Sequence, residues 1–225
     1  MTNSDLNTLD NRSDFYPNFK FEPPKKMDPS LQPVFEMAEE LFVLNGFEHT
    51  SLTEIADLSG VGKEKLSYHF VNEEDLLIQL VNRASWLFQQ RIVEEFNKAN
   101  SSLEGITRSV ALIFEEFYQQ YPNKLAILYR ESMGKSLLVS QNHSMHRQNM
   151  VVEIKYALDR VSHKEGFEYT GKAATEIIAI SIMSFLDNLV SYYLLQNRDL
   201  DQIKAISKNS LQFVMAEIKS ICQLA

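Results

Sequence analysis

Apolar residues recur at intervals of three and four from Asp28 onward in this 225-residue chain, and this spacing constrains the fold most. Glycine and proline are scarce, with 7 and 6 residues, which disfavours a chain of strands joined by many tight turns. The pattern therefore predicts an all-α fold and no convincing strand. After four helices near the amino terminus, we expect further helices at about 102–120, 123–133, 142–165, 171–196 and 199–222.

Composition excludes several classes of protein. The single cysteine, Cys222, excludes an intramolecular disulfide framework and a four-cysteine zinc site. The net charge of −8 excludes a protein that coats nucleic acid through overall basicity. Residues 1–28 are polar and lack the apolar run of a signal peptide, so we expect a cytoplasmic protein.

The most apolar segment, Ile177–Leu195, contains one charge, Asp187, with small polar residues spaced by three or four. A central aspartate costs about 2.5–3.5 kcal/mol on membrane insertion. We interpret this segment as a helix buried in the protein or at a subunit interface, and no membrane partner is expected. The small polar residues are Ser181, Ser184, Asn188 and Ser191.

Residues 1–28 show neither helical nor strand periodicity, and Pro23-Pro24 disfavours a helix, so we expect a flexible arm. From residue 29 to 75, which we call the head, capping signals separate short helices. Ser51 with Glu54 fits a capping box, and Asn72 is placed to cap a long fourth helix.

Two short helices on either side of Ser59-Gly60-Val61 fit a helix-turn-helix. Such a unit needs a small residue at the turn, which Gly60 supplies. It also needs apolar residues that lock the helices together and polar residues on the exposed face of the second helix. The lock is predicted to be Ile55, Ala56, Val61 and Leu66, and the exposed residues Lys63, Glu64, Ser67 and Tyr68.

The string AEELFVLNGFEHTSLTEIADLSGVGKEKLSYHFVNEEDLL resembles the amino-terminal domain of TetR-family transcriptional regulators over about fifty residues. The resemblance implies an all-α homodimer with a helix-turn-helix DNA-binding domain at 29–75 and a ligand-binding and dimerisation domain at 76–225, here called the body. It implies that the last two helices form the dimer interface. The shared positions are Leu41-Phe42, Gly46-Phe47, Thr50-Ser51, Ile55-Ala56, Gly60-Val61, Leu66, His69-Phe70 and Leu76-Leu77.

The resemblance and the exposed face together predict the contacts with a double-stranded DNA operator. Lysines of the arm, including Lys20, are placed to reach along a minor groove. His69 matches a family position that often meets phosphate. The candidate DNA contacts are Thr50, Ser51, Thr53, Lys63, Glu64, Lys65, Ser67, Tyr68, His69, Lys25 and Lys26.

The head departs from the family pattern in its charge. It contains ten acidic residues and two basic ones, Lys63 and Lys65. Glu73 stands where the family has a lysine, and Ser67 where it has a phosphate-binding tyrosine. Because DNA affinity depends on neutralising phosphates, an alternative remains: a TetR-like protein that no longer binds DNA and regulates by binding another protein.

In the body, the resemblance implies a cavity for a small apolar or amphipathic effector. The candidate effector-binding residues are large or adaptable side chains with one acid: Trp86, Phe114, Phe117, Tyr118, Tyr129, Met150, Met183 and Asp187. Met133, Asn188 and Tyr192 are further candidates. The candidate dimer-interface residues are Ser184, Asn188, Ser191, Ile203, Ile206, Phe213 and Val214.

Catalysis and metal binding find little support in the sequence. We find no nucleophile elbow, phosphate loop or pair of catalytic carboxylates, so an enzyme is not expected and no cofactor is predicted. His143 and His146 are spaced by three, but without a further ligand nearby we interpret them as surface histidines near a helix start. The favoured function is a ligand-responsive homodimeric repressor.

Overall fold

A computed structural model describes residues 23–99, 102–131, 134, 136–165, 167–169, 174–196, 216 and 222–224. The described part of the chain is almost entirely helical, as the sequence predicts. A 3-10 turn at Pro29–Leu31 leads into the first helix, and another lies at Phe47–His49. The helices are α1 (Gln32–Asn45), α2 (Leu52–Ser59), α3 (Lys63–His69), α4 (Glu73–Lys98), α5 (Leu103–Gln120), α6 (Pro122–Ala126), α7 (Leu137–Glu165) and α8 (Ala174–Gln196).

The structure corrects the helix predicted at 123–133 and the expectation that the chain has no strand. The single helix expected at 123–133 is the short α6 followed by a π-helical turn at Ile127–Glu131. The expectation of no strand is also wrong, because β1 (Phe167–Tyr169) pairs antiparallel with β2 (Cys222–Leu224). Three residues are too few to carry a readable strand alternation. The remainder of the helix predicted at 199–222 and most of the arm lie outside the described residues.

The head is locked by an apolar core, as predicted. Ile55, Ala56 and Leu66 are buried, and Val61 packs against them from the turn. The rings of Phe35 and Phe70 meet edge to face at 5.7 Å, which joins α1 to the end of α3. Gly60 adopts φ +71°, a left-handed conformation that favours glycine at the end of α2.

The predicted helix caps of the head are present. The Ser51 hydroxyl accepts a hydrogen bond from the backbone N–H of Glu54 at 3.1 Å. The Asn72 side chain accepts from the N–H of Asp75 at 2.9 Å, and the Asp75 carboxylate accepts in return from the N–H of Val71 at 3.1 Å. These bonds satisfy backbone donors that a helix leaves open at its amino end, so the orientation of each helix is fixed locally.

In the body, α4 packs against both α5 and α7. Helix α5 runs antiparallel to α4: Arg91 of α4 forms an ion pair with Glu116 at 2.7 Å, while Glu95 accepts from Ser109. Helix α7 runs parallel to α4. Its beginning meets the beginning of α4 through Ser136 and Glu74, and Arg160 near its end donates to Asn97 at 3.2 Å.

Polar side chains between the ends of α5 and α7 contact the head. Lys124 of α6 forms an ion pair with Glu39 of α1, and Ser136 donates to Glu74. Arg130 of the π-helical turn donates to the carbonyl oxygens of Phe42 and Val43, the former at 3.2 Å. A cation at the carboxyl end of a helix is favourable, so Arg130 stabilises the last turn of α1.

Among the described helices, none is both long enough and apolar enough to cross a membrane.

Candidate functional site

The exposed face of α3 is the face that the sequence predicts. Lys63, Glu64 and Ser67 are exposed, whereas Leu66 turns inward and is buried. Tyr68 is 84% exposed and its ring meets the half-buried ring of His69 at 5.0 Å. The Tyr68 side chain is therefore available for contact with another molecule.

Both lysines of α3 already have acidic partners. Lys63 lies 3.1 Å from Asp57 of α2, and Lys65 lies 3.5 Å from Asp28 and donates to Ser30. All four charged side chains are more than a third exposed. Ion pairs of this kind contribute about 0–1 kcal/mol, so a phosphate group is able to replace either acid at little cost.

The structure corrects one predicted DNA contact. Thr50 is buried, and its hydroxyl donates to the carbonyl oxygen of Gly46 at 3.0 Å, so the side chain holds the loop between α1 and α2. Ser51 is exposed but its hydroxyl caps α2. Thr53 is exposed on the first turn of α2 and stays a candidate contact.

Glu73 has a task that the sequence does not indicate. Although it begins α4, its carboxylate accepts a hydrogen bond from the backbone N–H of Leu52 at 2.9 Å. It therefore neutralises the amino end of α2, while Asn72 and Asp75 cap α4. The Glu73 carboxylate therefore already occupies the position at the amino end of α2 where the helix dipole and the free backbone N–H groups favour a phosphate.

The described part of the arm runs over α4. Arg83 donates to the backbone carbonyl of Lys25 at 3.3 Å and stacks over the ring of Phe35 at 4.4 Å. Burial lowers the pKa of Arg83. Lys25 and Lys26 remain exposed, which leaves their charges available beside the head, while Lys20 lies outside the described residues.

The predicted effector-binding residues lie mostly in the core of the body. Phe117, Tyr129, Met150 and Met183 are buried, and Phe117 meets Phe88 edge to face at 4.7 Å. The half-buried members are Trp86, Tyr118 and Asp187, while the side chains of Phe114, Met133 and Tyr192 lie outside the described ones.

A shallow cleft of about 380 Å³ lies elsewhere, between the end of α4 and the start of α5. Its walls include Glu95, Lys98, Glu104 and Arg108, and none of the predicted effector-binding residues lines it. Its mixture of charges and its openness to solvent differ from the apolar pocket that the sequence predicts.

Asp187 belongs to a polar network that joins α7, α8 and the π-helical turn. Arg147 of α7 donates to Asp187 and to the Ser184 hydroxyl, the latter at 3.1 Å. Tyr129 faces the same carboxylate, and burial together with this negative charge raises its phenol pKa. The Tyr129 ring also meets His143 at 6.2 Å. Asp187 therefore joins three elements inside the body, and its place in an effector site stays a prediction.

The expectation of surface histidines on α7 is wrong. His146 is 9% exposed, His143 is half-buried, and burial lowers the pKa of both, that of His146 to about 4. The cause is that α7 begins at Leu137, so both rings lie well inside the helix rather than at its start. Among the described residues, no group of three ligands suitable for a metal ion is found.

Sequence reasoning missed the polar residues of α4 that face α7, Asn82, Ser85 and Gln89. Their spacing of three and four within an otherwise apolar inward face is a readable signal. Asn82 accepts from His146 at 2.6 Å, while Ser85 and Gln89 are buried.

The described dimer-interface candidates lie on α8. Arg147 donates to the Ser184 hydroxyl, and the Asn188 side chain donates to the backbone carbonyl of Ser184 at 2.8 Å. Asn188 is exposed and Ser191 half-buried. Ile177 and Ile180 of the same helix are exposed as well. The candidates Ile203, Ile206, Phe213 and Val214 lie outside the described residues.

Comparison with known proteins agrees with this geometry. Residues 34–80 match the sequence model of the family described as "Bacterial regulatory proteins, tetR family". The chain is 29% identical over 99 residues to the HTH-type transcriptional regulator QacR of Staphylococcus aureus, covering 44% of this chain and 53% of that protein. The match spans about half the length of the curated relatives. These relatives are regulators and give no support to the alternative of a protein-binding head.

Solved structures extend the likeness to the whole fold. The fatty acid degradation regulator FadR from Bacillus halodurans superposes with a TM-score of 0.73 at 21% identity, over 85% of this chain and 97% of that one. The complex of SmeT with triclosan gives a TM-score of 0.71 at 16% identity, over 84% and 91%. The SmeT protein is the repressor of a multidrug efflux pump of Stenotrophomonas maltophilia. The head therefore matches the TetR-family model over residues 34–80, and the all-helical fold of the chain is similar to that of these regulators.

Proposed function

We propose that the protein is a homodimeric transcriptional repressor that binds operator DNA through α3 and leaves it when a small effector enters the body. The observation that carries the proposal is the exposed face of α3, with Lys63 and Tyr68 outside a head whose core and caps hold it rigid. Two such helices about 34–36 Å apart match successive major grooves of a palindromic site. The proposal includes no enzymatic activity and a cytoplasmic location.

The arrangement of charges supports contact with few phosphates. Lys63 and Lys65 exchange weak exposed ion pairs for phosphates, and Lys25 and Lys26 are exposed shortly before Asp28, the partner of Lys65. Glu73 opposes this contact because it places a carboxylate at the amino end of α2. The DNA affinity therefore depends strongly on salt but involves a small number of cations.

The π-helical turn provides a route from the body to the head. Tyr129 faces the network of Asp187, and its neighbour Arg130 donates to the last carbonyls of α1. π-Helical turns often mark functional sites in helical proteins. A movement of Tyr129 on effector binding also shifts Arg130, which changes how the head sits on the body. The effector shifts the equilibrium between the DNA-binding and the DNA-free arrangement of head and body only by binding the second more tightly than the first.

The effector and the dimer extend this proposal. The structure similar to this one that contains triclosan supports a small, mostly apolar effector.

The dimer contact is proposed for the face of α8 that carries Ile177, Ile180 and Asn188, because these side chains are exposed in one copy of the chain. A twofold contact buries the same face of both copies.

The proposal is tested by gel-shift assays with DNA from upstream of the protein's own gene. We expect binding at low salt that an unlabelled copy of the fragment competes away and a scrambled fragment does not. Lys63→Ala weakens binding, whereas Lys98→Ala, a matched loss of an exposed lysine in the body, leaves it unchanged. Failure to bind this or any other duplex at low salt refutes the proposed function.

A further inference from the structure

Helices α4 and α7 meet along buried polar side chains. Asn82, Ser85 and Gln89 of α4 follow the three-four spacing of a coiled-coil contact, and so do His146, Asn149 and Glu153 of α7. All but Asn82 are buried. The hydrogen bond between Asn82 and His146 fixes the register of the two parallel helices. The hydrogen bond from Arg160 to Asn97 joins nearly the same register near the ends of both helices. The offset of 64 residues between Asn82 and His146 also pairs Ser85 with Asn149 and Gln89 with Glu153. We call these six residues the polar seam.

Several atoms of the polar seam lack a hydrogen-bond partner. The Ser85 hydroxyl and the Gln89 amide nitrogen are buried without a hydrogen-bond partner. The two residues are 0% and 2% exposed, so water does not reach these atoms from the surface. His146 uses Nε2 to donate to Asn82, which makes its buried Nδ1 an unpartnered acceptor. One turn before His146 on α7, the side-chain oxygen Oδ1 of Asn142 is also buried without a hydrogen-bond partner. Each such atom costs about 1–3 kcal/mol.

A role in fixing helix register explains only part of this arrangement. A buried polar pair in a helix contact specifies register when its two members bond to each other, as Asn82 and His146 do. Ser85 and Gln89 make no such bond. Over the stretch of α4 from Asn82 to Gln89, about 10 Å long, the buried atoms without a partner are a donor, a hydroxyl and the acceptor Nδ1 of His146 from α7. Buried polar atoms left open in this way are expected where another molecule supplies the partner.

The charges of the polar seam limit the chemistry of that molecule. Glu153 is the one acid among the six residues and His146 the one base. Burial lowers the pKa of His146 to about 4, so the ring is neutral at pH 7. The seam therefore presents no cation of its own to a carboxylate or phosphate. Aromatic and methionine side chains flank it, including Trp86, Phe88 and Met150.

We propose that the polar seam binds the effector, and that this effector is an uncharged, mainly apolar molecule with a hydroxyl or amide group. Its hydrogen-bonding group accepts from the Gln89 amide and exchanges a bond with the Ser85 hydroxyl, one turn earlier on α4. Its apolar part lies among the flanking aromatic residues. The assignment rests on the proposed function only in naming this molecule the effector.

Equilibrium dialysis at pH 7 tests the assignment with 2-naphthol, naphthalene and 2-naphthoate, which share a ring system and differ in polar group and charge. The full-length protein is expected to bind 2-naphthol about three- to tenfold more tightly than either of the others. Ser85→Ala and Gln89→Met each reduce the preference for 2-naphthol over naphthalene, while naphthalene binding persists. Gln120→Met, an exposed glutamine of α5, is the matched control and keeps the full preference.

Equal binding of 2-naphthol and naphthalene overturns the assignment, and so does tightest binding of 2-naphthoate or no binding of any of the three. A preference that survives in both seam variants overturns it as well. The thermal unfolding midpoint of each variant verifies folding and is expected to be no lower than that of the wild type. Gel shifts on the same samples separate the two proposals, because loss of DNA binding alone refutes the proposed function and leaves the seam assignment standing.

Discussion

The cores of the head and of the body treat polar groups differently. In the head, α2 and α4 begin with capping side chains, and the residues that join the helices are apolar. In the body, the contact between α4 and α7 contains the polar seam, with buried atoms that have no partner. The head is therefore built for one fixed geometry, whereas the body keeps an unfavourable ligand-free contact that a bound molecule relieves. Unfavourable local arrangements of this kind tend to lie at functional sites.

The largest expected effect is in the core of the head. Phe70→Ala removes a buried ring that packs on Phe35, so it should lower the free energy of unfolding by about 3–5 kcal/mol. Val71→Ala, at the neighbouring 89% exposed position, should leave it nearly unchanged. Urea unfolding measures both, and equal small effects would show that the head lacks the rigid core described above.

In the polar seam, two substitutions should act in opposite directions. Asn82→Ala leaves the His146 Nε2–H without its acceptor and should destabilise the protein by about 1–3 kcal/mol. Gln89→Met removes an unpartnered donor and should stabilise the ligand-free protein by up to a similar amount. Urea unfolding without added ligand distinguishes them. A loss of stability in Gln89→Met would mean that its amide has a partner in solution.

Acid should weaken the body through its buried histidines. The pKa of His146 is lowered by burial from 6.5 to about 4, and that of His143 is lowered as well. Below pH 6.5 the unfolded chain binds protons that the folded chain does not, so stability falls as the pH decreases towards 4 and is fully present above 6.5. Unfolding midpoints across this range measure the slope. His146→Gln should reduce it, and an unchanged slope would contradict the burial of that ring.

A smaller effect is expected at the amino end of α2. Ser51→Ala removes the acceptor for the Glu54 N–H and should cost about 1 kcal/mol. Thr53→Ala, two residues later and exposed, is the control and should cost much less. If both variants unfold at the same urea concentration as the wild type, the cap contributes nothing to the rigidity of the head.

Local rules were sufficient to predict much of the head from the sequence. Ser51, Gly60 and Asn72 act on neighbours within a few residues, so their spacing alone indicates their tasks. Thr50 and Glu73 could not be assigned in this way. The Thr50 hydroxyl folds back on Gly46, and the Glu73 carboxylate reaches a different helix, so both depend on how the loops close.

The body could be predicted less well, because its site depends on pairing between distant helices. Ser85 and Gln89 become notable only when α4 and α7 are known to run parallel in the register set by Asn82 and His146. The histidines of α7 were misplaced because the first turn of that helix was not recognised. Helix class and length follow from periodicity, whereas the partner of a helix does not.

The central claim, that the acidic head still binds a duplex through the lysines of α3, is tested most directly by the salt dependence of DNA binding. Fluorescence anisotropy with the upstream fragment should give an affinity that falls linearly with the logarithm of salt concentration. Lys63→Ala should reduce that slope by about 1, and Lys98→Ala should not change it. Equal slopes for the wild type and Lys63→Ala, or no binding at the lowest salt concentration, would contradict the account.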